Sequence, residues 1–252
     1  MKIATYNIWN SNKGFPKRLQ QMIDEINRID ADIICLQEVN KERLQAIIQG
    51  TNYPYFDSVD QEGLLGELAI LSKHPLILKS EGKYSLVTVV DYQGIKLAIA
   101  NVHLPYDSAI ERETEIVKVE SSVLSVDADF SFIIGDYNCS ETSSVYRFLT
   151  SDMTLNGNEC NTYWIDLAMV AEERYNIPRE MTLDLMNNPR WKTGNVCDCS
   201  ARVDLIFMHD CFPKDYPVMQ AYTYFGKSVD DETGLSPSDH YGVVVDLSFT
   251  KE

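Results

Sequence analysis

Short apolar runs that stop at a polar side chain recur along the chain, and the sharpest is Ser131 to Asn138, SFIIGDYN. Phe130, Phe132, Ile133 and Ile134 form a continuous apolar stretch, the pattern of a strand covered on both faces. Gly135 then frees the backbone, so Asp136 and Asn138 emerge at the strand's C-terminal edge. KIATYNI at 2 to 8 reads the same way, with Asn7 near its end, and DIICLQEV at 32 to 39 stays apolar until Gln37 and Glu38. Strands are also expected at 66 to 72, 76 to 80, 83 to 91 and 95 to 103. His74-Pro75 and Gln93-Gly94 mark turns of antiparallel hairpins there, and the last run ends on His103. ARVDLIFM, VMQAYTYF and the final YGVVVDLSF complete the strand set.

Helical spacing appears between these runs. Leu19, Met22, Ile23 and Ile26 share one face after Pro16, which suits a first helical position, while Lys17, Gln21, Asp24, Glu25 and Arg28 share the other. Leu44, Ile47 and Ile48 predict a short helix after Asn40. Ser108 with Glu111 predicts a capping box opening a helix that buries Ile116, Val119 and Val123. A short helix is expected near Val145 to Leu149 and another over Trp164 to Tyr175. Residues 151 to 199 as a whole read as a connection with an insertion, lacking the apolar content for a core of its own. The expectation is one domain over 1 to 252.

Composition narrows the function classes. A 44% hydrophobic content is ordinary for a globular core. With 22 Lys plus Arg against 38 Asp plus Glu, the formal charge is −16. No basic stripe stands out, which argues against tight duplex binding, yet bound divalent cations can supply positive charge for a phosphate substrate. Six scattered cysteines suit a reducing, cytoplasmic setting, and Cys197, Cys199 and Cys211 lack the paired spacing of a structural zinc site. The first residues lack a signal-peptide pattern, and no run approaches the ~18 apolar residues of a membrane span.

The strand-end motifs together resemble the endonuclease/exonuclease/phosphatase superfamily: TYNIW at 5 to 9, LQEV at 36 to 39, GELAILSKHP at 66 to 75, NVHL at 101 to 104, GDYN at 135 to 138, RVDLIF at 202 to 207 and SDH at 238 to 240. The resemblance implies an α/β fold, a four-layer sandwich of two mainly antiparallel β-sheets flanked by helices, and the strand and helix pattern agrees with it. It also implies a divalent-metal-dependent phosphoesterase, possessing Mg²⁺ or Mn²⁺, with Glu38 as principal metal ligand beside Asn7 and Asp239. Asp136 or His240 is then the base for the attacking water, Asn138 donates to a phosphoryl oxygen or positions Asp136, and Asp204 fixes the His240 tautomer. His103 matches the second histidine, which donates to a phosphoryl oxygen or assists the leaving group, and Glu67 is a looser match for its partner. The expected substrate is a phosphate ester, either nucleic acid or a small or lipid-linked phosphate, and the expected state is a monomer. The alternative is a catalytically inactive binding module, which would ordinarily have lost one of Glu38, Asp136, Asn138, Asp239 or His240; all are present.

Overall fold

The computed structural model describes residues 1–59, 68–160, 163–192 and 198–249. Glu67 and Cys197, both singled out by sequence, lie outside the described residues. The first sheet has six strands in the order β11-β12-β1-β2-β4-β3. These are β1 (Lys2–Asn7), β2 (Ile33–Gln37), β3 (Tyr55–Val59), β4 (Leu68–Ser72), β11 (Val218–Phe225) and β12 (Gly242–Ser248). The second sheet runs β5-β6-β7-β8-β10-β9, from β5 (Leu76–Glu81), β6 (Ser85–Tyr92), β7 (Ile95–His103), β8 (Phe130–Asp136), β9 (Trp164–Asp166) and β10 (Asp204–His209). Each sheet contains one parallel pair, β1 with β2 and β7 with β8, and all other pairings are antiparallel.

Alternation along the strands builds the layers. Ile3, Ile33, Cys35 and Ile70 from one sheet meet Leu97, Ile99, Phe132 and Ile134 from the other in the central core. The opposite face of the first sheet, with Ala4, Tyr6, Ile34 and Leu36, packs on α1 (Lys17–Ile29) and α2 (Lys41–Gly50). The opposite face of the second, with Ala98, Ala100, Ile133 and Leu205, packs on α3 (Ala109–Leu124) and α4 (Ser144–Leu149). The result is the expected four-layer α/β sandwich.

Several local expectations shift. Pro16 is the N-cap and not the first helical residue of α1. Ser108 caps α3 by accepting from the Glu111 amide at 3.2 Å, but Glu111's carboxylate turns to Tyr84 and Lys83, so only half of the capping box forms. The helix expected from Trp164 begins only at Leu167, as α5 (Leu167–Tyr175). Trp164 to Asp166 instead pair with Phe207 to His209 as an edge strand, a long-range ladder that local periodicity cannot register. The segment 151 to 199 is tied into the main cores: Trp164 is buried under the second sheet, and Leu167, Ala168 and Ala171 enter the central layer.

Candidate active site

Strand register brings the sequence-predicted residues to one end of both sheets. In the second sheet His103 is the parallel partner of Asp136, and Asp204 is its antiparallel partner, so three adjacent strands present a row of functional side chains. Gly135 allows this close packing: a Cβ there, at φ +145°, would lie 2.0 Å from the Val102 carbonyl oxygen. In the first sheet Asn7 ends β1, and Glu38 follows β2 in the left-handed region with φ 59°. Asp239 and His240 precede β12, which pairs antiparallel with β1 and so starts at the same end.

Asn7 joins the two halves. Its Nδ2 donates to Glu38 Oε1 at 3.1 Å and to Asp136 Oδ2 at 3.0 Å. Glu38 Oε2 accepts from the Asn10 amide at 2.6 Å, and Asp136 Oδ1 accepts from the Asn138 amide at 2.8 Å. His103 Nε2 stands 3.7 Å and His240 Nδ1 3.9 Å from Asp136 Oδ2. His240 Nδ1 bonds Asp204 Oδ2 at 2.9 Å, which engages one ring nitrogen and leaves Nε2 outside that bond. Asn138 spends its side-chain amide on the Leu104 carbonyl at 2.9 Å, so its backbone amide is the group that orients Asp136.

Burial sets the ionisation of these groups. Burial pushes Glu38 up, but His103, the Asn10 and Asn7 hydrogen bonds and His240 outweigh it and hold the carboxylate below its ordinary range. Asp136 is raised by burial and by Asp204, against the pull of both histidines and Asn7. Burial takes Asp239 up to about 6, with Glu38 adding to the rise and His240, Arg190 and Arg18 opposing it. For His240 burial acts downward, and the Asp204 carboxylate, then Asp136 and Asp239, overcome it and raise the imidazole well above its usual value.

Two donor sets could hold a cation. Asp136, Asp204 and His240 offer atoms within 4.8 Å of one another. Glu38, Asp239 and Asn7 form the oxygen-rich alternative that the sequence pointed to, and a hard divalent ion prefers it. Glu38 raises the neighbouring Asp239 carboxyl, a cost that a bound cation would relieve, while Asn7 turns Nδ2 to Glu38 and Asp136 and Oδ1 to the Trp9 amide, so Oδ1 is the atom it could offer to an ion. The residues present therefore fit a divalent metal.

Sequence reasoning missed the braces around this site. Arg18 is fully buried and donates from Nη1 to the Ile8 and Pro237 carbonyls at 3.2 and 2.9 Å and from Nε to the Lys13 carbonyl at 2.8 Å; its Nη2 reaches the Trp9 and Ser11 carbonyls. It thus ties the loop after Asn7 to the loop before Asp239. The available signal was its place on the apolar stripe of α1, four residues before Met22. Thr182 Oγ1 accepts from the Val203 and Asp204 amides, Asn188 Nδ2 donates to the Ser238 carbonyl and Trp191 Nε1 to the Asp239 carbonyl. Residues 182 to 191, which looked like a blurring insertion, are a cradle for the Ser238-Asp239-His240 turn.

The family model described as Endonuclease/Exonuclease/phosphatase family matches residues 4–240. Among solved structures, D. rerio TDP2 complexed with single strand DNA product is similar, at 16% identity over 99% of this chain and 99% of that one, with a TM-score of 0.78. Beta toxin 275-280 from Staphylococcus aureus superposes at a TM-score of 0.71, with 16% identity over 99% of this chain and 100% of that one. A functionally unknown conserved protein from Enterococcus faecalis V583 also gives 0.71, at 19% identity over 99% of this chain and 100% of that one. At such identities these neighbours share the fold. No curated protein matches the sequence.

Proposed function

We propose that this chain, which belongs to the endonuclease/exonuclease/phosphatase family and is a metal-dependent hydrolase of phosphate esters, cleaves phosphodiesters with Glu38, Asp239 and Asn7 holding one Mg²⁺ or Mn²⁺. The observation that carries this reading is the Asn7 amide shared between Glu38 and Asp136, which makes one cluster of the metal-side and water-side carboxylates. When bound, the metal supplies Lewis-acid polarisation of the phosphoryl group. Asp136, held at both oxygens by Asn7 and Asn138, is aimed as the acceptor of the water proton. The elevated affinity of His240 for its proton favours a donor role at Nε2, towards phosphoryl oxygen, with Asp204 keeping the ring in place. His103 sits opposite Asp136 and serves the leaving-group side. Asn138 acts as a positioning residue through its backbone amide.

The chain is read as one domain over 1 to 252, because β9, α5 and the 182 to 191 cradle pack into the shared layers. Among the described residues no helix is long and apolar enough to cross a membrane. The free cysteines Cys35, Cys139, Cys160, Cys199 and Cys211 support a reducing cytoplasm, and a monomer is the simplest state for a site built within one chain.

A hydrolysis panel tests the reading: bis-p-nitrophenyl phosphate, single-stranded and duplex DNA, RNA, inositol phosphates and sphingomyelin, each with Mg²⁺, Mn²⁺ or chelator. Metal-dependent cleavage of at least one diester by wild type, lost in Asp136→Ala and His240→Ala, is expected. Cleavage of none, or mutants equal to wild type, overturns it.

A further inference from the structure

In a chain this acidic many cations are claimed by carboxylates, as Arg202 is by Asp166 and Glu141, while Arg18 beside the site spends its donors on backbone carbonyls. Arg190 does neither. Among the described residues it forms no ion pair, and its buried Nε has no hydrogen-bond partner. Its guanidinium instead lies 4.7 Å from the Trp191 ring centroid and 5.4 Å from that of Trp9. Both residues are tied to the site: the Trp191 ring donates from Nε1 to the Asp239 carbonyl at 3.1 Å, and the Trp9 backbone amide donates to Asn7 Oδ1 at 3.0 Å. The Arg190 backbone amide is fixed too, donating to Asn188 Oδ1 at 3.0 Å.

The side chain is half-buried, held beside two rings at the rim of the metal-side loops, with its donor edge unspent. Leaving a guanidinium donor buried and unpaired is costly. The cost is relieved if an acceptor arrives with the substrate, and a guanidinium's fork of donors matches phosphate oxygens. Trp9 is engaged by Arg18 at 4.4 Å as well as by Arg190, so its ring serves the cations and is not left as a stacking platform for a base. The scissile group already has His103, His240 and the metal-side residues around it. Arg190 lies on the segment between α5 and β10, near enough to Asp239 for its charge to oppose the rise of that carboxyl, and its guanidinium rests against the rings of Trp9 and Trp191.

We propose that Arg190, held between Trp9 and Trp191, forms a subsite for a second phosphate of the substrate, next to the scissile one. This rests on the phosphodiesterase reading above and narrows its substrate class to molecules with at least two neighbouring phosphates. The second phosphate can belong to a nucleotide chain or to a diester whose ring carries further phosphates.

The test compares full-length wild type, Arg190→Met, which keeps an unbranched stem between the rings, and Arg190→Lys, which keeps the charge. Substrates are bis-p-nitrophenyl phosphate, with one phosphate, a short single-stranded oligonucleotide, and a glycerophosphoinositol bisphosphate, a diester whose ring carries further phosphates. For whichever two-phosphate substrate wild type prefers, Arg190→Met should lower kcat/KM at least tenfold more than it does for bis-p-nitrophenyl phosphate. The loss should lie mainly in KM, Arg190→Lys should be intermediate, and the slope of log kcat/KM against log salt should shrink by about one. Equal losses on all substrates would show that Arg190 merely supports the Asp239 loop, and no loss on any would remove the subsite; either overturns the proposal while leaving phosphodiesterase activity intact. A wild type that cleaves none of these substrates overturns both readings.

Discussion

In the second sheet, β7 and β8 end on His103 and Asp136 as direct register partners, whereas in the first sheet Glu38 stands one residue beyond β2, in a left-handed conformation, and Asp239 lies in the turn before β12. Each half is built on a parallel pair with a helical crossover, α3 in one and α1 in the other. His103, Asp136 and Asp204, the second-sheet residues proposed to handle protons with His240, are thus positioned by backbone ladders. The metal-side half is positioned by side chains that hold loop carbonyls: Arg18 on Ile8 and Pro237, Trp191 on Asp239, Asn188 on Ser238. Damage to the first should read out as lost folding, and damage to the second as lost geometry in a protein that still folds.

The strongest way to break that contrast is Gly135→Ala. A methyl group 2.0 Å from the Val102 carbonyl oxygen cannot be absorbed by a side-chain rotation, because the obstacle is the neighbouring strand's backbone. A loss of order 4 kcal/mol is expected, at the top of the range for single substitutions. Urea unfolding would check it; a change below about 1 kcal/mol would mean that the ladder does not position this half. Chemistry separates the halves next. Asp136→Asn and Glu38→Gln should each lower kcat by roughly 10²- to 10⁴-fold. Raising the Mn²⁺ concentration should recover part of the Glu38→Gln loss and none of the Asp136→Asn loss. Identical metal titrations for the two would merge the roles assigned to them.

Arg18→Met probes the loop-borne half. It removes a buried cation that donates to carbonyls on both flanking loops, and loss of about 3 kcal/mol is expected. Activity should fall further than stability explains: at a temperature where the variant is fully folded by circular dichroism, kcat should still be down by about tenfold or more, since Trp9 and Asp239 lose their common brace. Full activity in the folded variant would show that the loops hold their shape unaided.

What the sequence disclosed follows the same division. Ile95 to His103 was legible to the residue, and the strand read at Ser131 to Asn138 to within two residues of its observed end at Asp136, because an apolar run bounded by turn residues is local information. Asn40 and Ser108 were legible as helix starts for the same reason. Trp164 to Asp166 read as helix because the partner strand is about forty residues away. Glu38 was found by motif, but its left-handed backbone, which turns the carboxylate towards Asn7, leaves no trace in residue type. Arg18 and Arg190 went unread as site residues because their partners are carbonyls and rings from distant loops, which no periodicity encodes.

The smallest expected effect lies where the two halves touch. Asn101, in the middle of a strand otherwise apolar at that depth, donates from Nδ2 to the Leu36 and Ala69 carbonyls of the opposite sheet, both at 2.9 Å, and accepts from Gln37 Nε2 at 2.7 Å. Gln37 immediately precedes Glu38, so this polar staple links the β7 strand that ends in His103 to the strand that delivers the metal-side carboxylate. Asn101→Ala should cost about 2 kcal/mol, since Gln37 and two carbonyls lose a partner in a buried layer. The sharper readout is coupling: if the staple transmits position between the halves, the effects of Asn101→Ala and Glu38→Gln on kcat should be non-additive in a double-mutant cycle by at least ~0.5 kcal/mol. Additive effects would show that the two sheet ends are set independently, each by its own ladder or loop.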